Sequence, residues 1–166
     1  QYVQTAIDLV AKSLASSIAV VGSRNPTPQG AANARHFAKA FSEAGLTVVS
    51  GLALGVDGAA HEGALDGLGP NDNRLATIAV VGTGLDRVYP KDHRDLAHRI
   101  AENGLIISEY PLGTLPLAEN FPKRNRLIAG LAQGTLVVEA ALKSGSFIIA
   151  RLAAEPPRTV LSDSEM

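Results

Sequence analysis

The 166-residue chain contains no cysteine, which excludes a disulfide scaffold, a thiol nucleophile and thiolate metal sites. It has no unbroken apolar run of 18 or more residues, so no segment reads as a membrane-spanning helix. No secretory leader is visible, and a cytoplasmic location is expected. An excess of one charge is missing too: 15 Lys and Arg face 16 Asp and Glu, a formal net charge of −1. That balance argues against a protein coated in basic surface. It leaves room for one local basic pocket, because net charge says nothing about distribution. Neither GxGxxG nor GxxxxGKS/T occurs, so the usual dinucleotide and Walker signatures are absent. GxSxG and HExxH are also lacking, which removes support for serine-nucleophile and metalloprotease chemistry. His36, His93 and His98 have no Ser and acid close by in sequence to form a triad.

Hydrophobic residues make up 46% and charged residues 19%, a composition that folds around a core. Short Val- and Ile-rich runs at 18–21, 46–49, 77–81, 105–107 and 135–138 are bounded by Gly or Ser. They read as strands buried on both faces. Between them lie stretches with helical spacing. In 31–44, Ala34, Phe37, Ala38 and Phe41 share one side, with Arg35, Lys39 and Glu43 opposite. Residues 56–65, 92–102, 126–132 and 146–155 read alike, and 5–15 forms a leading amphipathic helix. The strand starts recur about every 30 residues, the length of one strand–helix crossover. An α/β fold follows, with a mostly parallel sheet, helices on both faces and right-handed crossovers. Residues 1–16 are expected as a helical arm and 17–166 as one domain.

In such folds the functional groups gather at the carboxyl ends of the strands. The first turn there carries Gly22, Ser23, Arg24 and Asn25. Small residues let backbone N–H groups approach an anion, and Arg24 adds a forked cation suited to phosphate. The same residues fit a plain turn with one exposed Arg equally well. After Ser50 and Gly51, Asp57 and His61 share a helix face and suit a metal or a proton relay, but a helix cap and a satisfied partner fit better. Gly82, Thr83 and Gly84 form a third glycine turn. Residues 109–122 hold three prolines and are too long for a simple connector, which marks a functional loop. The sharpest local signal follows it: Phe121, Lys123, Arg124, Asn125 and Arg126 put three cations beside an aromatic ring and an amide. Cations at a helix start oppose its dipole, so an anion is expected there, and stacking on Phe121 would suit single-stranded nucleic acid. Ser144, Gly145 and Ser146 resemble an anion nest, or simply an N-cap.

Taken in order, VVGSRNPTPQG, TVVSGLALGVDGAAH, AVVGTGLDRVYP, ISEYPLGTLP, ENFPKRNRLIAGL and VVEAALKSGS resemble the DNA-processing protein A family, also called DprA or Smf. The resemblance covers about residues 18–155. It implies an extended Rossmann-like domain without enzymatic activity or cofactor, which dimerises and binds single-stranded DNA. It further implies loading of the RecA recombinase onto that DNA in homologous recombination during natural transformation. The implied pocket combines Gly22, Ser23, Arg24 and Asn25 with Lys123, Arg124, Asn125 and Arg126, with Phe121 at its entrance. Backbone groups at Ser50, Gly51, Gly82, Thr83, Gly84, Ser144, Gly145 and Ser146 complete an anion-binding rim. The chain departs from the family pattern at Leu54, usually basic, and at Ile149, usually Thr. A second reading is a phosphoribohydrolase-like nucleotide enzyme of related fold. Its PGGxGTxxE signature is not reproduced, since Gly134, Thr135 and Glu139 lie within the strand segment and the signature's Glu is missing from the helix that follows the glycine turn.

Overall fold

The structure, a computed structural model, describes residues 2–140 and 159–162. It contains α1 (Tyr2–Ala15), β1 (Ser17–Gly22), α2 (Pro28–Glu43), β2 (Thr47–Ser50), α3 (Val56–Asp66) and β3 (Thr77–Val80). A single 3-10 turn (Lys91–His93) leads into α4 (Arg94–Asn103), followed by β4 (Leu105–Ile107), α5 (Asn120–Leu131), β5 (Gly134–Val138) and β6 (Thr159–Ser162). The strands form one sheet in the order β4-β3-β2-β1-β5-β6, and every pairing is parallel. The chain winds outward from β1 to β4, then returns to the other side of β1. The strand order therefore reverses between β1 and β5.

Period-2 alternation sends neighbouring residues of each strand to opposite faces. Val20, Val48 and Leu136 pack with Ala34 and Ala38 of α2 and with Val56, Ala60 and Ala64 of α3. Ala79 joins Leu96, Ala97 and Ile100 of α4. The opposite face buries Ala19, Val21, Val49, Ile78, Val80 and Val137 under Ile128 and Ala129 of α5, with Leu14 of α1 alongside. Helices thus cover both faces, which is why the strand sequences are almost continuously apolar. Small residues set the helix spacing: a Cβ on Gly63 of α3 would lie 2.1 Å from the Arg35 carbonyl of α2.

Three helices begin earlier than the sequence expectation, the first of them at Tyr2 and not at residue 5. The helix expected at 31–44 begins at Pro28, because Thr27 caps it: its Oγ1 accepts from the Gly30 N–H at 3.1 Å, and proline fits the first turn. The helix expected at 126–132 begins at Asn120 and takes in the whole cationic segment. Pro122 does not prevent this, since the first turn of a helix has no internal acceptors for its N–H groups. The long loop expected at 109–122 gives up its last three residues to the helix. The helix expected at 146–155 and the nest at Ser144, Gly145 and Ser146 lie outside the described residues, as does Ile149.

Candidate functional site

A cleft with about 500 Å³ of open space lies over the carboxyl ends of β1, β2 and β3. Three turns and the start of α5 build it. Arg24 comes from the β1–α2 turn, Gly51 and Leu54 from the β2–α3 turn, Gly82, Thr83 and Tyr89 from the segment after β3, and Phe121 and Arg124 from α5. Asn120 fixes the start of α5: its side-chain amide donates to the Gly82 carbonyl at 3.1 Å. Its own carbonyl accepts from the Tyr110 hydroxyl at 3.3 Å.

Phe121 is the centre of the cleft. Its ring centroid is 5.6 Å from that of Tyr89, 5.6 Å from the Arg24 guanidinium carbon and 5.7 Å from that of Arg124. A Cβ on Gly82 would already touch the ring at 3.2 Å. Leu54, 44% exposed, forms an apolar wall of the cleft.

The four cations singled out in the sequence fall into three kinds. Arg24 and Lys123 are exposed and have no carboxylate within ion-pair distance among the described residues. Arg126 is exposed but ion-paired to Glu109. Arg124 is only 3% exposed. Its Nη1 donates to the Gly51 carbonyl at 2.6 Å and to the Val80 carbonyl, and its Nε donates to Asn125 at 3.2 Å. Burial lowers the Arg124 pKa, the Asp57 charge opposes that, and the Arg24 charge adds to it. The cluster that looks uniform in sequence is therefore one buried cation, one neutralised cation and one free one, with Arg24 joining from another turn. Helical periodicity explains the difference, because positions 123 and 126 face solvent while 124 and 125 face the sheet.

The backbone rim is also partly in use. The Gly51 N–H donates to Asp57 at 3.1 Å, the Gly84 N–H to the Thr114 carbonyl at 3.1 Å, and the Ser23 N–H to the Val138 carbonyl at 3.2 Å. Ser23 Oγ accepts from the Asn25 N–H at 3.1 Å, and Ser50 Oγ donates to the Val20 carbonyl at 2.6 Å. These N–H groups and the Ser50 hydroxyl shape the turns and are not open to an anion, whereas the Ser23 hydroxyl keeps its own proton to donate. A Cβ on Gly22 would sit 1.9 Å from the Val138 carbonyl, so close strand contact requires that glycine. Gly82 and Thr83 line the cleft itself.

Asp57 and His61 do not line the cleft, and their side chains are taken up by internal hydrogen bonds. Asp57 accepts from the N–H groups of Gly51 and Ala53, and burial raises its pKa against the pull of Arg124. His61 Nε2 accepts from the Leu52 N–H at 3.2 Å. Its Nδ1 is 2.6 Å from Thr77 Oγ1, which itself donates to the Val48 carbonyl, so the histidine proton sits on Nδ1. Burial, with the His93 and Arg124 charges, lowers the His61 pKa to about 3. His93, unassigned in the sequence reading, is within hydrogen-bond reach of the Leu52 carbonyl through Nδ1 at 2.9 Å. Leu52 has a left-handed φ of 58°, a strained state for a branched side chain that persists only when surroundings over-determine it. Two histidines do that here. No group of three or more His, Asp or Glu suited to a metal exists among the described residues.

Glu139, placed by the sequence within the fifth strand, lies just past its end at Val138 and has a part that sequence reasoning did not give it. Its carboxylate accepts from the Thr27 N–H at 2.8 Å and from the Thr27 hydroxyl, and these bonds lower its pKa. The signal for it was the Thr27 cap, which needs an acceptor for its hydroxyl proton.

A family model described as DNA recombination-mediator protein A matches residues 2–165. The chain is 48% identical over 145 residues to Protein Smf of Synechocystis sp., covering 87% of this chain and 35% of that protein. The X-ray structure of DNA processing protein A from Streptococcus pneumoniae superposes with a TM-score of 0.82 at 44% identity, covering 94% of this chain and 52% of that one. DNA processing protein A from Helicobacter pylori, whose structure was described for its unique single-stranded DNA binding mode, superposes with a TM-score of 0.80 at 34% identity. That match covers 91% of this chain and 67% of the other. The chain spans about a third to a half of the length of the curated relatives it matches.

Proposed function

The chain belongs to the DNA recombination-mediator protein A family, and from that premise we propose that its cleft binds single-stranded DNA. One observation carries the reading: an aromatic ring, Phe121, beside an exposed guanidinium, Arg24, with Tyr89 tilted against it. A base stacked on such a platform contributes about 1–3 kcal/mol. Arg24 takes an adjacent phosphate through paired N–H groups, and Lys123 supplies a second cation at the same helix start. Duplex DNA would hide its base faces from the ring, so single strands are preferred. The H. pylori relative's single-stranded DNA binding points the same way.

Binding, and not catalysis, is the role inferred. Asp57, the buried carboxylate nearest the cleft floor, is engaged by backbone N–H groups and is not among the residues lining the open space. The proposal extends to recombinase loading, dimerisation and a place in DNA uptake, and the family's description as a recombination mediator supports the first of these. No helix among the described residues is long and apolar enough to cross a membrane. The test is fluorescence anisotropy with labelled oligothymidine and a matching duplex across a salt series. Tighter binding of the single strand, weakened by Phe121→Ala, is expected. Equal affinity for both forms with no effect of Phe121→Ala overturns the reading.

A further inference from the structure

The Gly51 peptide is gripped from both ends. Its N–H donates to the Asp57 carboxylate at 3.1 Å, and its carbonyl accepts from Arg124 Nη1 at 2.6 Å. No side chain fits between them: a Cβ on Gly51 would lie 2.6 Å from Arg124 Nη1 and 2.7 Å from Asp57 Oδ2. The same guanidinium nitrogen donates to the Val80 carbonyl at the end of β3. Arg124 therefore ties together the carboxyl ends of two adjacent strands, where the ladder runs out and carbonyls lose their partners. Above it, 5.7 Å away, lies the Phe121 ring.

We propose that Asp57 is a positioning residue for the cleft: it fixes the Gly51 peptide and balances the Arg124 charge, so that Arg124 props Phe121 and does not bind phosphate. The proposal deepens the single-stranded DNA reading and rests on it. Its physical basis is the burial of both charges, Asp57 at 7% exposure and Arg124 at 3%. A buried cation without its anion is strongly unfavourable and turns toward water. Without Asp57, the Arg124 side chain moves into the cleft, the Gly51 carbonyl loses its donor and the ring loses its support. The free, exposed cations Arg24 and Lys123 remain the phosphate ligands. Arg124 Nε, held by the Asn125 side chain, is likewise turned to the protein.

The test compares Arg24→Ala, Arg124→Met and Asp57→Asn with the unaltered protein. Affinity for labelled oligothymidine is measured by anisotropy over a series of NaCl concentrations, and the Phe121 ring resonances are followed by NMR in the free protein. Arg124→Met is expected to weaken binding roughly tenfold while the slope of log K against log salt stays as in the unaltered protein, since a lost single-strand phosphate contact changes it by about 0.7. Asp57→Asn is expected to shift the Phe121 resonances, weaken binding and leave the slope no shallower. A slope shallower by about 0.7 in Arg124→Met overturns the proposal, because Arg124 would then be a phosphate ligand itself. Unmoved Phe121 resonances in Asp57→Asn also overturn it. If Asp57→Asn does not fold, Arg124→Lys decides: it keeps one nitrogen for the two carbonyls and is expected to recover part of the affinity lost in Arg124→Met. No recovery overturns the proposal. The ring resonances need no DNA, so they report on Asp57 even if oligonucleotide binding itself fails.

Discussion

Arg24 and Lys123 are exposed and have no carboxylate partner among the described residues, but only Arg24 lines the cleft itself, and the effect of replacing it by Ala can be worked from the structure. Arg126 is paired with Glu109 and Arg124 is turned inward to carbonyls, which leaves Arg24 and Lys123 to meet phosphates. At about 0.7 per single-strand phosphate contact, the slope of log K on log salt should be about −1.4 for the unaltered protein and about −0.7 for Arg24→Ala. The lost charge-assisted hydrogen bond and cation–π contact together weaken binding by about 2 kcal/mol, or roughly thirtyfold, at low salt. Arg24 is exposed, so the thermal unfolding midpoint should not move. Anisotropy titrations of labelled oligothymidine at several salt concentrations, with melting followed by circular dichroism, measure all three quantities. An unaltered slope in Arg24→Ala refutes the reasoning, as does a native slope of about −2 or steeper, which would require the buried or paired cations to bind phosphate.

Glu109→Gln should free Arg126 and steepen the salt slope by about 0.7, again read by anisotropy. Phe121→Ala should weaken binding by about 1–3 kcal/mol per stacked base with no change of slope, which separates stacking from charge. Gly51→Ala forces a methyl group against Arg124 and Asp57 and should lower stability by about 1–3 kcal/mol in urea unfolding. His61 has a folded pKa near 3 against 6.5 for the free side chain. Between those values the unfolded chain binds the extra proton, so His61 stabilises the fold less as pH falls below 6.5. The loss should reach about 2 kcal/mol by pH 5, and the His61 ring should stay neutral by NMR throughout that range.

The periodic strand runs and their spacing made the sheet legible, because buried parallel strands must be apolar on both faces. Val20 and Val21 point to opposite helical layers, and both are buried. The aromatic–cation segment from Phe121 to Arg126 was legible as a site for the same reason that it is unusual: three cations at a helix start oppose the helix dipole. Which of those cations is available was not legible. That depends on the helix beginning at Asn120, six residues earlier than the apolar pattern suggests, which turns Arg124 toward the sheet. It depends also on Glu109, seventeen residues away in sequence, reaching Arg126. For Asp57 and His61 the sequence favoured a structural part over a metal or a proton relay, but not the partners, which are the N–H groups of Gly51, Ala53 and Leu52 and the Thr77 hydroxyl.

The position of the cleft follows from what occupies its neighbour. In open parallel sheets the crevice where strand order reverses, here between β1 and β5, is the usual ligand position, and the following helix offers its N–H groups to an anion. In this chain the Glu139 carboxylate, at the end of β5, already bonds the Thr27 N–H and hydroxyl at that helix start. A Cβ on Gly30 would fall 2.3 Å from it, so the helix is glycine at the point where the carboxylate lies. A negative group in that position disfavours a second anion by simple repulsion. The exposed cation of the β1–α2 turn, Arg24, is directed instead across the ends of β2 and β3, where Phe121 and Tyr89 supply ring faces. A fold that commonly seats a nucleotide phosphate on backbone N–H groups here presents a side-chain cation and aromatic ring faces instead, the groups on which the phosphates and bases of the proposed single strand would rest.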